Sequence, residues 1–461
     1  MDKLINERKG VLLFAINSTF HWWKNIGDSL ANEYNVKVIT EHKTNVIDSI
    51  KDRFYYYLDK KNKKTFFSEA EIDNICDRCR VIRSLSKDIA VEMIISYENV
   101  FEDLFSTQQF HYIFSFPIDR YPMDVLERVA KRYGVEYFEV TVCLFDNTSM
   151  LLKRGKVVKM PNGIEKSISF EEAYSTLVSP KYTPVYVRKS KKYNKIKWLK
   201  VFSWQYARDI VFKLIMILER DRRSLHYLDS QMYLKHKASL NDIFVNKYIN
   251  YNYQEVMQNN PKEKNVIIAL QLYPEASIDY WVEDMEIVNY EPFMLKLIKQ
   301  LSNEGYNIFL KDHPLQFGFR QVKFIKDAIQ LPNVHFLPYS SDINELLENV
   351  SISVTTTGTV GLQAALRGII SIVTPSYYSN STDFIVLNSA NDLNLLNAKI
   401  QQQLGNPVNL EERRNRLIEH IYEISLAGDI FSFRQKENFD TNTSLNQLIN
   451  SLKNFLALKS Q

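Results

Sequence analysis

The chain has 461 residues, 45% of them hydrophobic and 24% charged, with a formal net charge of +4. That length supports two or three domains with cores of their own, and so small a charge gives no argument for nucleic acid. Twelve glycines and thirteen prolines are few for the length, which argues against a low-complexity chain.

The opening residues, M-D-K-L-I-N-E-R-K-G, lack the apolar core and cleavage site of a signal peptide. Residues 11–16 read as a strand, 26–33 as a helix and 36–40 as a second strand, the start of a parallel β-α-β unit. Residues 17–24, N-S-T-F-H-W-W-K, read as the loop between the first strand and its helix. Residues 51–64 read as a charged, tyrosine-rich surface segment, and 69–85 are helical in period. Cys76 and Cys79 form a C-x-x-C, but a zinc site needs about four ligands and no second pair exists. Free thiols in a reducing compartment are expected. Residues 93–96, 112–116 and 137–142 read as strands, and 123–133 as an amphipathic helix. Residues 1–150 are thus expected to form a first α/β domain.

Residues 151–260 break the alternation and read as a basic, aromatic-rich helical insertion or connecting segment between two α/β domains. Residues 153–168 suggest a hairpin turning at Pro161-Asn162-Gly163. Residues 188–223 interleave Lys and Arg with Trp and Tyr, and 200–223 of them read as an amphipathic helix. This suits an anionic lipid surface, although nucleic acid or a solvated helix would also fit. Residues 261–264 read as a linker. From there to about 390 a second α/β domain is expected. Its strands lie at 265–270, 307–310, 334–337 and 351–354, its helices at 290–304, 319–330, 343–348 and 360–366. Residues 391–461 read as a helical, polar tail. No run approaches the roughly 18 apolar residues of a transmembrane helix. A cytoplasmic protein is expected, able to rest on the cytoplasmic face of an inner membrane.

The unusual polar clusters all follow strands, and open parallel sheets bind ligands beyond the carboxyl ends of their strands. In K-D-H-P, Lys311 and His313 are placed to meet a phosphate or sugar hydroxyl, with Pro314 fixing the turn. A histidine capping a loop is the structural alternative. In T-T-T-G-T-V-G, Thr355, Thr356, Thr357 and Thr359 offer hydroxyls before a helix start, where an anion is favoured. Gly358 permits a tight turn there, and Gly361 a close helix approach. The Walker pattern is absent. In Q-L-Y-P-E-A-S-I-D, Glu275 and Asp279 are one helical turn apart and can divide acid and base roles, as glycosyl chemistry requires of carboxylates. In the first domain Asn17, His21, Trp22 and Lys24 are candidates for holding an acceptor. Asp119 and Arg120 read more simply as a surface pair. No metal site and no D-x-D motif is found, and no cofactor is expected beyond a donor substrate.

P-E-A-S-x-D-Y-W, K-D-H-P and T-T-T-G-T-V-G-L-Q-A-A-L, in this order and spacing, resemble bacterial capsule and surface-polysaccharide biosynthesis proteins related to the capsular Kdo transferases. The resemblance implies two Rossmann-like domains facing a cleft, the GT-B architecture. It implies a glycosyltransferase taking a sugar from a nucleotide-sugar donor, CMP-Kdo first among candidates and a UDP-sugar second. The acceptor would be a glycan or a lipid-linked glycan. His313, Pro314, Thr355, Thr356, Thr357 and Thr359 are similar to the nucleotide-binding motifs of sialyl- and Kdo-type transferases, which show Ser-Thr where this chain has T-T-G-T. Their acidic first-domain motif has no match here. A sugar-nucleotide 2-epimerase, a CDP-polyol phosphotransferase of the teichoic acid type and a non-enzymatic assembly or export partner are the alternatives.

Overall fold

Gly-Val-Leu-Leu-Phe-Ala at residues 10–15 is buried throughout. An apolar run without alternation suits a strand covered on both faces, as in parallel sheets. In the computed structural model this run is strand β1 (Gly10–Ala15). The structure describes residues 8–16, 19–61, 63–184, 193–218, 239–406, 408–429 and 441–459. The chain divides into two units, Met1–Ser169 with Glu423–Gln461, and Phe170–Tyr422.

The first unit adds β2 (Asn35–Thr40), β3 (Asp48–Ser49), β4 (Tyr112–Ser115), β5 (Glu136–Val142), β6 (Thr148–Lys153) and β7 (Lys156–Val157). The second contains β8 (Asn265–Ala269), β9 (Asn307–Lys311), β10 (Val334–Phe336), β11 (Ile352–Val354), β12 (Ile370–Val373) and β13 (Ile385–Val386). A last strand, β14 (Ser425–Ala427), returns to the first unit. The first sheet runs β14-β6-β5-β4-β1-β2-β3, with β7 hairpinned onto β6. Strands β1 to β5 are mutually parallel, Val11 lying opposite both Val36 and Tyr112. Strands β6 and β14 are antiparallel additions at one edge.

The second sheet runs β10-β9-β8-β11-β12-β13 and is parallel throughout. Counted from β8, that is the order 3-2-1-4-5-6 of a doubly wound nucleotide-binding fold. Successive side chains point to opposite faces. Val266 and Ile268 join one core with Phe293, Leu297 and Ile298 of helix Tyr290–Asn303. Ile267 joins the other with Leu346 and Ala364, from helices Ile343–Glu348 and Val360–Ala365. Both units are thus α/β, as expected, the first with a mixed sheet built on a parallel core and the second with a sheet parallel throughout.

Several local expectations change. Residues 93–96 are not a strand but the middle of helix Lys87–Thr107. Met93, Ile94, Tyr97, Phe101 and Leu104 form one buried helical stripe there, which four residues alone do not reveal. The first helix begins at Phe20, not 26, because Trp23, Ile26 and Leu30 bury one face together. Residues 51–59 are a helix with Phe54, Tyr57 and Leu58 buried, rather than a surface segment. The hairpin turns at Arg154-Gly155, both at positive φ (48° and 73°), instead of at Pro161-Asn162-Gly163. That pair of left-handed residues is what a two-residue hairpin turn demands.

The segment read as a connector divides: 151–169 stays with the first unit and 170–260 with the second. The tail divides too. Helices Leu396–Gly405 and Leu410–Ile424 follow β13, whereas β14 and helix Thr441–Lys459 close the first unit. Gly428 makes that return possible. Its φ is +90°, and a Cβ there would lie 2.2 Å from the Leu448 backbone nitrogen.

Candidate functional site

Strand order in the second sheet reverses between β8 and β11. Loops leaving adjacent strand ends at such a point part in opposite directions and open a crevice. Gln271 to Glu275 follows β8, and Thr355 to Thr359 follows β11. Asp312, His313 and Pro314 follow β9, next along the sheet.

Three side chains clamp these loops to one another. The Gln271 carboxamide oxygen accepts the Thr357 N–H at 3.0 Å and the Thr356 hydroxyl. Its nitrogen donates to Thr357 Oγ1 at 2.8 Å and Glu275 Oε2 at 3.1 Å, with Ser277 Oγ 3.3 Å away. Gln316, buried, makes a backbone-like pair with Tyr273, accepting its N–H and donating to its carbonyl, both at 3.0 Å. Arg320, whose side chain is wholly buried, donates to both Asp312 carboxylate oxygens at 3.0 Å and to the Gln271 carbonyl at 2.7 Å. Burial opposes the Arg320 charge, and Asp312 outweighs it, so the guanidinium lies above its ordinary range. Glu291 sits 3.3 Å from Arg320, its carboxyl raised by burial.

Asp312 also fixes the candidate histidine. It accepts the His313 N–H at 2.8 Å and the Tyr339 hydroxyl at 3.0 Å. His313 Nδ1 accepts the Leu315 N–H at 3.2 Å and so caps the turn Pro314–Gln316. Burial holds the imidazole down to about 4, so it is neutral near pH 7. With Nδ1 accepting, the proton of the neutral ring is on Nε2, which becomes a hydrogen-bond donor. His313 is therefore both the turn cap and a half-buried Nε2–H donor.

The other expected residues take varied places. Lys311 is buried, and its Nζ donates to the Asp312 and Tyr339 carbonyls at 2.9 and 3.0 Å. Burial lowers it to about 8. Glu275 is half-buried beside Gln271 and Ser277 and precedes the turn Ala276–Asp279. Asp279 is completely buried, so the two carboxylates differ in reach. Thr355, Thr356 and Thr357 are buried as well, and two of them are engaged by Gln271. The hydroxyl run thus works first as a clasp. The half-buried part of the turn is Gly358, Thr359 and Val360. Gly358 does not adopt a positive φ; a side chain there would meet Thr355 Oγ1 at 2.7 Å. At Gly361 a Cβ would lie 2.6 Å from Val373 Cγ1 and 2.7 Å from the Tyr378 hydroxyl, so close helix approach is its role.

Gln271, Asp312, Gln316 and Arg320 were not among the expected site residues. Asp312 lies inside the K-D-H-P motif and was within reach. Gln316 carries no local signal, because its partner Tyr273 is 43 residues away. Arg320 has Asp312 only 8 residues away, but the Gln271 carbonyl that makes it a clamp is 49 away.

In the first unit, Asn17 lies outside the described residues. His21, Trp22 and Lys24 lie on helix Phe20–Leu30 rather than in a loop, His21 exposed and Lys24 paired with Asp28 at 2.5 Å. They still follow β1, where this sheet's own order reverses between β1 and β4. Arg120 is not a surface residue. It is buried and donates to Glu41 and Asp119, each at 2.8 Å. Among the described residues no group of three or more His, Cys, Asp or Glu side chains is arranged to hold a metal.

Two α/β units, one with the loops of its parallel sheet clamped at the strand-order reversal, define the class. Residues 199–378, which contain all three clamped loops, match the family model described as capsule polysaccharide biosynthesis protein. The resemblance drawn from the motifs is borne out over that stretch. No curated protein matches the chain. Among solved structures, the chain is similar to a β-Kdo 2,7 transferase, KpsC, of Thermosulfurimonas dismutans, at 9% identity and a TM-score of 0.36, covering 96% of this chain and 99% of that one. It is similar to a β-Kdo 2,4 transferase of the same organism at 10% identity and a TM-score of 0.37, covering 74% and 87%. It is also similar to S. aureus MnaA in a co-structure with UDP, at 10% identity and a TM-score of 0.27, covering 98% of each.

Proposed function

We propose that the protein is a glycosyltransferase of bacterial capsule or surface-polysaccharide biosynthesis, using a nucleotide-sugar donor with CMP-Kdo as first candidate. The carrying observation is the clamping of three polar loops at the reversal point of a 3-2-1-4-5-6 sheet, inside the segment that matches the capsule family. Such a crevice is where nucleotides bind in this class of sheet.

The His313 Nε2–H donates to a donor phosphate or ribose oxygen. Gly358, Thr359 and the start of the following helix form the second contact. Glu275 is the carboxylate beside the reacting carbon. Transfer breaks the bond from that carbon to the nucleotide phosphate, which leaves, and forms one to an acceptor hydroxyl, whose proton is lost to a base. The acceptor is a glycan or lipid-linked glycan, and His21 and Trp22, which follow β1 at the reversal point of the first sheet, are the candidates to bind it. The reaction takes place at the cytoplasmic face of the inner membrane.

A thermal-shift panel of CMP, CDP, UDP and GDP tests the site. One of them stabilises the protein, His313→Ala loses the shift, and Glu275→Gln keeps it while losing transfer. No shift with any nucleotide refutes the reading in favour of an assembly partner. Conversion of a nucleotide sugar without acceptor identifies an epimerase, and phosphate in the product a polyol phosphotransferase.

A further inference from the structure

Helix Lys195–Leu218 has 24 residues, about 36 Å at 1.5 Å per residue. One ridge of it is fastened to the second unit. Trp198 enters the core that contains Val245 and Phe317. Gln205 donates to the Gly318 carbonyl at 3.0 Å. Val201 packs on Gly318 so closely that a Cβ there would lie 2.8 Å from its Cγ1. These residues sit at i, i+3 and i+7, a single helical stripe.

The other side is apolar and open. Leu199, Trp204, Ile210, Leu214, Ile217 and Leu218 are between 47% and 81% exposed. Nine of the seventeen exposed large apolar side chains among the described residues lie on this one helix. Single exposed apolar residues are ordinary, but a contiguous stripe marks an interaction surface.

Charge selects the occupant. The helix carries Lys195, Lys197, Lys200, Arg208 and Lys213 against one acid, Asp209. Asp209 is buried and pairs with Lys213 at 2.9 Å, so the open side presents no carboxylate. The Arg208 guanidinium lies 5.2 Å from the Trp204 ring centre. Aromatic rings and long cationic side chains beside an apolar stripe are the composition of a helix lying in a lipid–water boundary. No described helix is long and apolar enough to cross a membrane.

We infer that the open side of this helix docks the protein flat on an anionic phospholipid bilayer. The inference rests on the proposed function for its purpose, since that reading needs a lipid-linked acceptor, but not for its physics. Gly318, the helix's anchor, is four residues beyond Pro314. Docking therefore holds the His313 loop near the lipid surface.

Cosedimentation of the full chain with vesicles tests this without any sugar donor. Vesicles of equimolar phosphatidylglycerol and phosphatidylcholine pellet the protein, and pure phosphatidylcholine pellets it far less. Ile210→Asp with Leu214→Asp abolishes pelleting while circular dichroism stays unchanged. Lys195→Glu with Lys200→Glu weakens it by about fivefold or more for each cation. His313→Ala binds vesicles like the parent, so a failed glycosyltransferase reading and a failed docking reading are separable. Absence of pelleting with anionic vesicles overturns the inference. So does pelleting indifferent to Ile210→Asp with Leu214→Asp. A dimer in sedimentation velocity that this pair dissociates also overturns it, by making a second copy the occupant.

Discussion

Replacing Gln271 with leucine keeps most of its bulk and deletes every hydrogen bond of its carboxamide. Thr356 and Thr357, 2% and 4% exposed, lose the acceptor of a hydroxyl and of a peptide N–H. The hydroxyl can rotate toward another acceptor; the N–H cannot. A buried donor left without a partner costs about 1–3 kcal/mol, which sums to about 2–4 kcal/mol after that partial relief. The loss is local, so hydrogen exchange of the loop after β11 is the assay of choice. That energy is about a 30- to 900-fold loss of protection at and around the Thr357 amide. Gln271→Glu restores an acceptor but sets a second carboxylate beside Glu275, now 3.1 Å from the carboxamide. It therefore weakens the loop at neutral pH and recovers as pH falls through the carboxylate range. A loss below about threefold in the leucine variant, against the roughly 30-fold floor, would refute the clasp. So would identical behaviour of both variants across that pH range.

Arg320→Leu strands the buried Asp312 carboxylate and destabilises the second unit by about 3–5 kcal/mol in urea unfolding. Adding Asp312→Asn restores part of that. Gly361→Ala forces a methyl against Val373 and Tyr378 and lowers stability by about 1–3 kcal/mol, read as an earlier thermal transition. His313 has a folded pKa of about 4 against an ordinary 6.5. The unfolded chain then binds more protons between those values, so stability rises with pH across that window and is lost as pH falls through it. His313→Gln flattens this slope in urea titrations. Buried Glu139, raised by burial to about 7 from 4.5, has the opposite sign: the folded state binds more protons, and the first unit loses stability as pH rises through that window. Thermal unfolding of Glu139→Gln should show a smaller decline from pH 5 to 8.

The parallel sheets were legible because their strands are continuous apolar runs ending in polar turns. β8, β9 and β11 were found within a residue or so, and with them the loops that bear the site. Met93-Ile94 misled because a run of four has no period. The hairpin misled because Pro-Asn-Gly is the stronger turn signal, yet β6 and β7 meet at Arg154-Gly155. Asn162 and Gly163 close no ladder. The threonine run was legible as a site but not as a clasp. Its partner, Gln271, is 86 residues away from Thr357, and sequence spacing says nothing about pairs that only a folded sheet brings together. Helix Lys195–Leu218 was legible in charge and aromatic content. Which side faces water was not, because that depends on where Trp198 and Gln205 find their partners.

The return of β14 to the first unit has a consequence for synthesis. That unit is interrupted by the whole of the second, from residue 170 to 422. Between Ser169 and Ser425 the ribosome adds 425 − 169 = 256 residues, roughly 13 to 50 s of translation. Throughout that interval the Thr148–Met150 part of the outer edge of β6, beyond the reach of the β7 hairpin, has no strand beside it, and open edges recruit foreign strands. The second unit, continuous in sequence, can be complete before the first is closed. A nascent chain stalled before Leu426 would therefore carry a finished nucleotide-type sheet joined to an unsealed one, and the unsealed edge is where misassembly would begin.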